Sequence, residues 1–408
     1  MTFLRLGLVF MHWRRAPFTV FLFLILLIAL GQVSLSYAAK TVKVGNTAAS
    51  CGGPCDFTGI AEAITASAAG DTISVYPGQY APFTIDKAVM VAAAGDRDTT
   101  IVQGSTADKF VVLITANGAK VSGFTIRNSS LDGIRVFNAS NVIVENNYVT
   151  QTAVGAPAGF RDPQAAILIH GGKGDQVLNN LVVDNNGRGI RVEGLADIAE
   201  GHLVKGNTVT RSLGGCALVV TSNVINNVFD GNKISFGHGG GIILASVVPG
   251  AVVKGNIFQN NEVKSTLDTP GILLSNTIPI NPPDLFTGNI VRYNWIEGNQ
   301  GYRALPDAPD SIGIVLERVT GNQVYGNTIR NQLVGIAATT PTLANEIRGN
   351  DVTGVPTVFF QQAAAPAPVV PAALPNTGDD AAPWMALMAA VGVGFLGLGV
   401  ALRRRRAY

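Results

Sequence analysis

The sequence has little charge, few cysteines and few aromatic side chains. Charged residues make up 14% of its 408 residues, against 47% hydrophobic residues, so neither disorder throughout nor a polyelectrolyte fits this composition. Three cysteines are too few for a small domain built on disulfides, and no zinc-finger spacing is present. Glycine is abundant, at 47 residues, and asparagine is visibly in excess. Both residue types favour tight turns, so the composition predicts a β-rich chain with little helix.

The first 38 residues have the three parts of a secretory signal peptide. Arg5, Arg14 and Arg15 form a basic region, an apolar run covers 16–30, and Ser36-Tyr37-Ala38 offers small residues before a cut ahead of Ala39. Residues 1–38 are therefore expected to direct export. An uncleaved N-terminal membrane anchor is the alternative.

The C-terminal segment 374–408 also has an ordered set of parts. A pentapeptide is followed by the uncharged run 381–402, which is long enough to cross a bilayer, and then by four arginines that would stay cytoplasmic. The pentapeptide is Leu374, Pro375, Asn376, Thr377 and Gly378. This order resembles the LPxTG sorting signal of sortase substrates. The resemblance implies a sortase as partner, cleavage between Thr377 and Gly378, and covalent attachment to cell-wall peptidoglycan. A tail-anchored protein with a chance pentapeptide is the alternative.

Loss of both end segments would change the sign of the net charge. The full chain carries +2, whereas residues 39–377 carry 22 basic and 25 acidic residues. A net charge of −3 does not favour nucleic acid as a partner. Residues 356–373 are rich in proline and alanine and are expected to form a semi-extended spacer.

One pattern recurs between residues 121 and 352: an aliphatic residue or Phe, two residues, Asn, one residue, then Val, Ile or Phe. Its copies centre on Asn147, Asn180, Asn207, Asn232, Asn256, Asn294, Asn327 and Asn350. Phe124 replaces Asn in a further copy, and the shortest spacing is 23 residues. A second row of Gly-Ile strands, such as Gly133-Ile134 and Gly189-Ile190, precedes the asparagines. Short strands of period 2 with Val and Ile at inward positions predict a right-handed parallel β-helix.

Residues 70–80 and the strand at 85–87 resemble the opening coils of the pectate-lyase-like superfamily, especially the NosD-like β-helix repeat proteins. The resemblance implies an all-β fold: a single-stranded right-handed parallel β-helix over 56–355, with about 23 residues per minimal coil. It also implies that 56–69 forms a short helix that caps the first coil. Residues 39–55 precede this domain. There, Cys51 and Cys55 flank a Gly-Gly-Pro turn and could form a small disulfide in an exported protein.

Stacking the coils predicts which side chains of the Gly-Ile strands point inward and which point out. The inward pairs are Ile134/Val136, Ile167/Ile169, Ile190/Val192, Ala217/Val219, Ile242/Leu244, Ile272/Leu274 and Ile314/Leu316. The first outward column is Arg135, Leu168, Arg191, Leu218, Ile243, Leu273 and Val315. The second outward column is Phe137, His170, Glu193, Val220, Ala245, Ser275 and Glu317. Cys216 is expected to replace the Gly of Gly-Ile as a buried structural thiol.

The outward columns bring one set of chemically active side chains together. Arg135, Phe137, His170, Arg191 and Glu193 are expected to form a ligand-binding patch. Asp162, on a long preceding loop, is expected to join them. His170, Glu193 and Arg191 are the candidates for catalysis. A solvated face with cross-strand charge pairs is the alternative.

Four insertions could wall a groove over this sheet. Segments 151–164, 262–270 and 298–311 precede its strands, and 277–286 follows one. Outward Leu218, Val220, Ile243 and Leu273 predict an exposed apolar patch that needs a lid, groove or partner.

Two functions remain open from the sequence. One is a wall-anchored adhesin or carbohydrate-binding scaffold, and the other is a polysaccharide lyase or glycoside hydrolase acting in the groove. Gly237-His238-Gly239 matches a polygalacturonase motif, but the coil above it has no carboxylate for hydrolysis. No cofactor is expected, although a lyase could use Ca²⁺. A histidine- or cysteine-based metal site is not expected either, because the three histidines after residue 38 lie in different coils.

Overall fold

The structure is a computed structural model that describes residues 38–47, 50–154, 165–267, 269–278, 281–300, 310–339 and 344–361. The predicted signal segment up to Tyr37, residues 362–373 of the predicted spacer and the whole sorting segment lie outside these residues. Within the described ranges, no helix is both long and apolar enough to span a membrane.

Strands of the described residues form four sheets in which every pairing is parallel, and strands are numbered in chain order. Sheet A has twelve strands. They are β1 (Thr41–Val44), β2 (Thr72–Val75), β5 (Met90–Ala93), β8 (Lys120–Ser122), β11 (Ile143–Glu145), β14 (Gln176–Leu178), β18 (Leu203–Lys205), β22 (Val228–Asp230), β26 (Ile257–Gln259), β30 (Ile290–Arg292), β33 (Gln323–Tyr325) and β36 (Glu346–Arg348).

Sheet B follows sheet A along each coil and has ten strands in the described residues. They are β3 (Gly78–Tyr80), β6 (Thr100–Gln103), β9 (Thr125–Arg127), β12 (Tyr148–Thr150), β15 (Leu181–Asn185), β19 (Thr208–Ser212), β23 (Lys233–Ser235), β27 (Glu262–Lys264), β31 (Trp295–Glu297) and β34 (Thr328–Arg330).

Sheet C completes the coil with eleven described strands, and a small sheet D lies between sheets C and A in four coils. Sheet C contains β4 (Phe83–Ile85), β7 (Phe110–Ile114), β10 (Asp132–Phe137), β13 (Ala165–His170), β16 (Arg188–Glu193), β20 (Leu218–Thr221), β24 (Ile242–Ser246), β28 (Ile272–Asn276), β32 (Ile312–Glu317), β35 (Val334–Ala338) and β37 (Thr357–Gln361). Sheet D contains β17 (Ala199–Glu200), β21 (Val224–Ile225), β25 (Val253–Lys254) and β29 (Phe286–Thr287). This repeating order confirms the predicted right-handed parallel β-helix.

The core is a column of buried aliphatic and phenylalanine side chains along the inside of the coils. Each three-residue strand of sheet A places its middle residue inward, as Val144, Val177 and Val204 do. Phe229 and Phe258 stack inside at 4.6 Å between ring centroids. Alternation of buried and exposed positions along each strand is what the period-2 pattern predicts.

A glycine lies just before or at the second position of six of the eleven sheet C strands, because the next coil passes too close for a side chain. A Cβ at Gly189 would lie 2.4 Å from the carbonyl oxygen of Ala217, and one at Gly241 would lie 2.4 Å from that of Gly271. Ala217, not Cys216, aligns with these glycines, because the amide of Ile190 bonds to Ala217 and that of Leu218 bonds to Gly241. The predicted placement of Cys216 is therefore wrong by one residue. Its Sγ donates to the carbonyl of Gly239, and burial raises the pKa of the thiol to about 11.

Asparagine side chains form a continuous ladder between sheets A and B. Asn232 is typical: its Oδ1 accepts from the backbone and side-chain amides of Asn207 at 3.0 Å, and its Nδ2 donates to Val204 at 2.9 Å. Seven of the eight predicted asparagines belong to this ladder. Its members are Asn147, Asn180, Asn207, Asn232, Asn261, Asn294, Asn327 and Asn350.

The exception is Asn256, which the sequence pattern placed in this ladder. The structure puts Asn261 there and puts Asn256 in a second ladder before sheet A, between Asn227 and Asn289. Asn322 and Asn345 continue that second ladder. One consequence is that segment 262–270 is not wholly an insertion, because Glu262–Lys264 is strand β27 of sheet B.

The second ladder begins with two titratable residues instead of asparagine. Asp175 Oδ1 accepts from the amide of Val142 at 2.8 Å, and the Asp175 amide donates to His202 Nδ1 at 3.0 Å. His202 continues to Asn227 through its own backbone amide, at 2.8 Å. Both side chains are almost completely buried. Burial raises the pKa of Asp175 to about 7 and lowers that of His202 to about 4, because both charged forms lose hydration.

The first coil is closed by helix α1 (Ile60–Ala66), inside the predicted segment 56–69. Ile60, Ala63 and Ile64 are buried at the i, i+3, i+4 spacing of one helical face. Lys87 Nζ donates to the carbonyls of Ile64, Thr65 and Ser67 at the end of the helix, where a cation is favoured. Just before the helix, Cys51 and Cys55 form a disulfide with 5.4 Å between their Cα atoms.

Candidate functional site

The predicted patch lies on the outer face of sheet C, where three adjacent strands are in register. Phe137 of β10 pairs with His170 of β13, which pairs with Glu193 of β16. Arg135 and Arg191 lie on either side of Leu168 in the neighbouring column. Parallel strands about 4.8 Å apart bring these side chains into contact. The structure therefore brings together five of the six predicted ligand-binding residues. Asp162 lies outside the described residues and stays a prediction.

His170 is the centre of this cluster. Its Nδ1 lies 3.0 Å from Glu193 Oε1, and its Nε2 lies 3.3 Å from Asp197 Oδ2. The ring of Phe137 stacks on the imidazole with 4.9 Å between centroids and an interplanar angle of 12°. Two carboxylates and one aromatic face thus fix the plane of the imidazole. We call Phe137, His170, Glu193 and Asp197 the histidine cluster.

The pKa of His170 is raised above its ordinary value. The hydrogen bond to Glu193 is the main cause, and the charges of Glu193 and Asp197 add to it, while partial burial works in the opposite direction. An imidazolium in contact with carboxylates is stabilised, so His170 holds its second proton at higher pH than a free histidine. A group of this kind can donate a proton near neutral pH.

Glu193 and Arg191 support His170 from inside the wall of the solenoid. The Glu193 side chain is 1% exposed and the Arg191 side chain 8% exposed, and they form an ion pair. Burial alone would raise the pKa of Glu193, but the His170 hydrogen bond and the charge of Arg191 outweigh it and leave that pKa lowered. Glu193 is therefore an ionised, buried partner of His170. Arg191 neutralises it and is not the solvent-facing donor that the sequence predicted.

Arg135 forms a separate arm of the patch. Its guanidinium bonds to the buried carboxylate of Asp132 at 2.6 Å and lies 4.2 Å from the ring centroid of Phe110. Burial raises the pKa of Asp132 to about 7, against the opposing effects of Arg135 and the amide of Ala165. Next to this arm, Leu113, Thr84 and helix α1 line a depression of about 410 Å³.

Sequence reasoning missed Asp197, Asp132 and Phe110. Asp132 immediately precedes Gly133 of a Gly-Ile strand, and this position in the sequence already indicates that Asp132 belongs to sheet C. Asp197 lies in the turn between β16 and β17, and its side chain is 45% exposed. No periodic pattern reaches that turn, so only the structure shows that it points back to His170.

The predicted columns are wrong in one coil. Leu218 pairs with Ile190 and Val220 with Val192, so both point inward, and Val219 and Thr221 take the outward positions. Thr221 then continues the second outward column, and its Oγ1 lies 3.4 Å from Arg191 Nη2. The prediction aligned Cys216 with the glycines of the other coils, whereas Ala217 holds that position. Each later residue of this strand therefore points to the face opposite to the predicted one.

The predicted exposed apolar patch is not on the surface. Leu218 and Val220 lie inside, and Leu273 is 8% exposed within a second buried cluster on the outer face of sheet C. That cluster also contains Ile312, Val315, Val334 and Ala337, with Ile243 and Phe360 packed against it. Much of the two longest segments that were predicted to wall the groove lies outside the described residues, at 155–164 and 301–309. The groove itself stays a prediction.

No group of three or more histidine, cysteine or acidic side chains in the described ranges is arranged to hold a metal ion. Use of Ca²⁺ by a lyase stays a prediction.

Comparison with known proteins agrees with this architecture. The family model of the right-handed β-helix region matches residues 86–229 and 199–352. The two matches cover more than half of the chain, and the chain belongs to this family. No curated protein has a sequence that matches this one.

Several solved structures share the fold at low sequence identity. The catalytic domain of a GH87 α-1,3-glucanase in complex with nigerose matches with 14% identity and a TM-score of 0.51, over 81% of this chain and 69% of that domain. The Dettilon tailspike protein matches with 17% identity and a TM-score of 0.51, over 74% of this chain and 63% of the tailspike. At these identities the likeness is one of fold.

Proposed function

We propose that this protein acts on a polysaccharide at the outer face of sheet C, with the histidine cluster as its proton-transfer centre. The observation that carries the proposal is the imidazole of His170, held between Glu193 and Asp197 and covered by Phe137. Phe137 is 43% exposed and offers a flat surface on which a sugar ring can stack. The α-1,3-glucanase that shares the fold is in keeping with this substrate class.

In the proposed reaction His170 is the general acid. Its raised pKa favours the protonated form. His170 donates a proton to the oxygen of the glycosidic bond that breaks, while a water molecule bonds to the anomeric carbon and gives up its proton to a carboxylate. Asp197 is the accessible carboxylate of the cluster and takes the base or charge-stabilising role, while Glu193 holds the imidazole in place. Hydrolysis with two carboxylates across the bond requires a second accessible acid. Asp162, which we proposed from the sequence, would have to supply it.

Substitution of Phe137 tests binding without disturbing the buried ion pair. We expect Phe137→Ser to raise the KM for the polysaccharide about 3- to 10-fold, because a lost aromatic contact costs on the order of 1 kcal/mol. Phe236→Ser is the matched control, since Phe236 is exposed to a similar degree but lies outside sheet C. The assay measures reducing ends and unsaturated uronates released from a panel of polysaccharides. Equal effects of the two changes would contradict the proposal.

Turnover should also depend on His170 and on pH. We expect His170→Asn to abolish turnover. In the unchanged protein, turnover should be highest where the imidazole is protonated and fall as pH rises through its raised pKa. Asp197→Asn removes the proposed base and one of the carboxylates that raise this pKa, so turnover should drop at every pH and the remaining turnover should fall off at lower pH. Measurable glycan binding with no turnover from any substrate would reject catalysis and favour the second candidate, a surface adhesin or binding scaffold. The exposed face of Phe137 also supports that candidate.

We further propose that the protein is exported and covalently attached to the cell wall by a sortase. The support is the order of pentapeptide, apolar run and arginines in the sequence. Thr377→Ala should abolish attachment to peptidoglycan while leaving export intact. Mass spectrometry of wall digests would identify Thr377 amide-linked to wall peptide. Its absence from a host with an active sortase would reject the proposal.

A further inference from the structure

Three aromatic side chains are gathered at the corner between sheets A and B, away from the histidine cluster. Tyr293 and Trp295 flank the inward-pointing Asn294, and they are 55% and 40% exposed. Tyr325, on the next coil, contacts Tyr293 edge to face with 5.6 Å between ring centroids. We call Tyr293, Trp295 and Tyr325, with the charged side chains that border them, the aromatic corner.

Tyr293 adopts a backbone conformation that is costly for a bulky residue. Its φ is +56°, in the left-handed region. Eight other coils have a residue with positive φ at the same corner, and each of these is Gly or Asn. They are Gly123, Asn146, Asn179, Gly206, Gly231, Asn260, Gly326 and Gly349. A tyrosine in this conformation is an outlier. Such backbone strain persists where the surrounding structure or a function requires the side chain at that position.

The next coil leaves space for this tyrosine. A Cβ on Gly326 would lie 2.6 Å from two carbon atoms of the Tyr293 ring. The ring therefore lies over the bare backbone of Gly326, which holds it against the corner. A tyrosine at 293 and a glycine at 326 together produce a fixed aromatic surface that no other described coil has.

Polar and charged groups border the rings without giving the corner a net charge. Arg292 donates to Gln259 Oε1 and lies 3.0 Å from the Tyr325 hydroxyl oxygen. Arg348 lies 4.5 Å from the Tyr325 ring centroid and Lys264 lies 5.6 Å from that of Trp295. The three cations are balanced by three carboxylates. These are Glu262, Glu297 and Glu346. A balanced border does not select a polyanion such as nucleic acid.

We propose that the aromatic corner is a binding site for a neutral glycan chain, distinct from the histidine cluster. The polarised C–H groups of a pyranose ring are attracted to the negative face of an aromatic ring. Guanidinium, amide and carboxylate groups beside the rings provide donors and acceptors for sugar hydroxyls. The proposal rests on the placement of Tyr293 and does not depend on catalysis at His170.

Tryptophan fluorescence gives a direct test, because the sequence has three tryptophans, at positions 13, 295 and 384. In the full chain carrying Trp13→Phe and Trp384→Phe, Trp295 is the sole tryptophan. Cellohexaose and chitohexaose are titrated as neutral probes and hexamannuronate as an anionic one. We expect a saturable fluorescence change with at least one neutral probe. A change with hexamannuronate alone, or with none of the probes, overturns the proposal.

Variants based on the other coils keep the test specific. Tyr293→Gly introduces the residue of five other coils and should maintain or raise thermal stability, while weakening binding about tenfold. Trp295→Thr introduces the residue type that the next coil has at the paired position, Thr328, and should weaken binding measured by retention on the immobilised probe. Phe236→Ser changes an exposed phenylalanine that belongs to neither site, and it should leave the fluorescence change and the retention unchanged. Full binding in both Tyr293→Gly and Trp295→Thr, or loss in Phe236→Ser alone, overturns the proposal.

Discussion

Replacing Asn232 with alanine is expected to lower the free energy of unfolding by about 2–5 kcal/mol. The Asn232 side chain is fully buried, accepts from the backbone amide of Asn207 and donates to the carbonyl of Val204. Alanine would remove the bond to the Val204 carbonyl and leave the buried amide of Asn207 without its partner, and a buried polar group without a partner costs about 1–3 kcal/mol. It would also interrupt the ladder between Asn207 and Asn261. Urea unfolding followed by circular dichroism would measure the loss.

Asn186→Ala is the matched control, because the side chain of Asn186 is exposed and lies two coils before that of Asn232. Its free energy of unfolding should stay within about 0.5 kcal/mol of that of the unchanged protein. If Asn232→Ala were as stable as Asn186→Ala, the ladder would have no role in stability. A changed slope of the urea transition would indicate instead that unfolding is no longer a single step, which long repeat arrays can show.

The second large effect is expected from Asp175→Asn. The pKa of Asp175 is raised to about 7 in the folded state by burial, from an ordinary value near 3.8. The folded state therefore holds the proton more tightly than the unfolded state, and stability falls as pH rises from about 4 to about 7. The total loss is on the order of 4 kcal/mol. Asparagine is neutral at every pH and is the residue of the later coils in this ladder, so Asp175→Asn should remove that loss.

His202 changes stability in the opposite direction. Burial lowers its pKa to about 4, so the unfolded state binds the proton more tightly and stability falls as pH drops below about 6.5. We expect Asp175→Asn to raise the midpoint of thermal unfolding at pH 8. The loss of stability below about pH 6.5 should remain in this variant, and His202→Asn should reduce it. Thermal unfolding from pH 4 to pH 9 would show both. An Asp175→Asn midpoint that is lower than that of the unchanged protein at pH 8 would contradict this account.

The sequence predicted the architecture because each coil repeats the same local chemistry. Valine and isoleucine at alternate positions define which side of a short strand is buried, and glycine or asparagine at the bends permits the left-handed backbone. The same alternation placed Phe137, His170 and Glu193 in one outward column, and the structure has them in register. Strand pairing between neighbouring coils then follows with little freedom, since a shift of one residue would turn core side chains toward solvent.

Where the sequence pattern fitted two alignments equally well, only contacts between coils determined which residue joined which ladder. Asn256 and Asn261 both follow an aliphatic or aromatic residue by three positions and both precede Val or Phe by two, so the pattern fits either. The bonds of Asn261 to Asn294 and of Asn256 to Asn289 assign them to different ladders. Three other features also depend on residues far apart in sequence. They are the burial of Arg191, the contact of Asp197 with His170 and the packing of Tyr293 over Gly326. The sequence alone determined the repeat and, in every coil that was assigned except that of Ala217, its inward and outward faces, because these depend on neighbours within one coil. The tertiary structure decided the ladder register and the partners of each charge, because these depend on which atoms of the next coil lie within bonding distance.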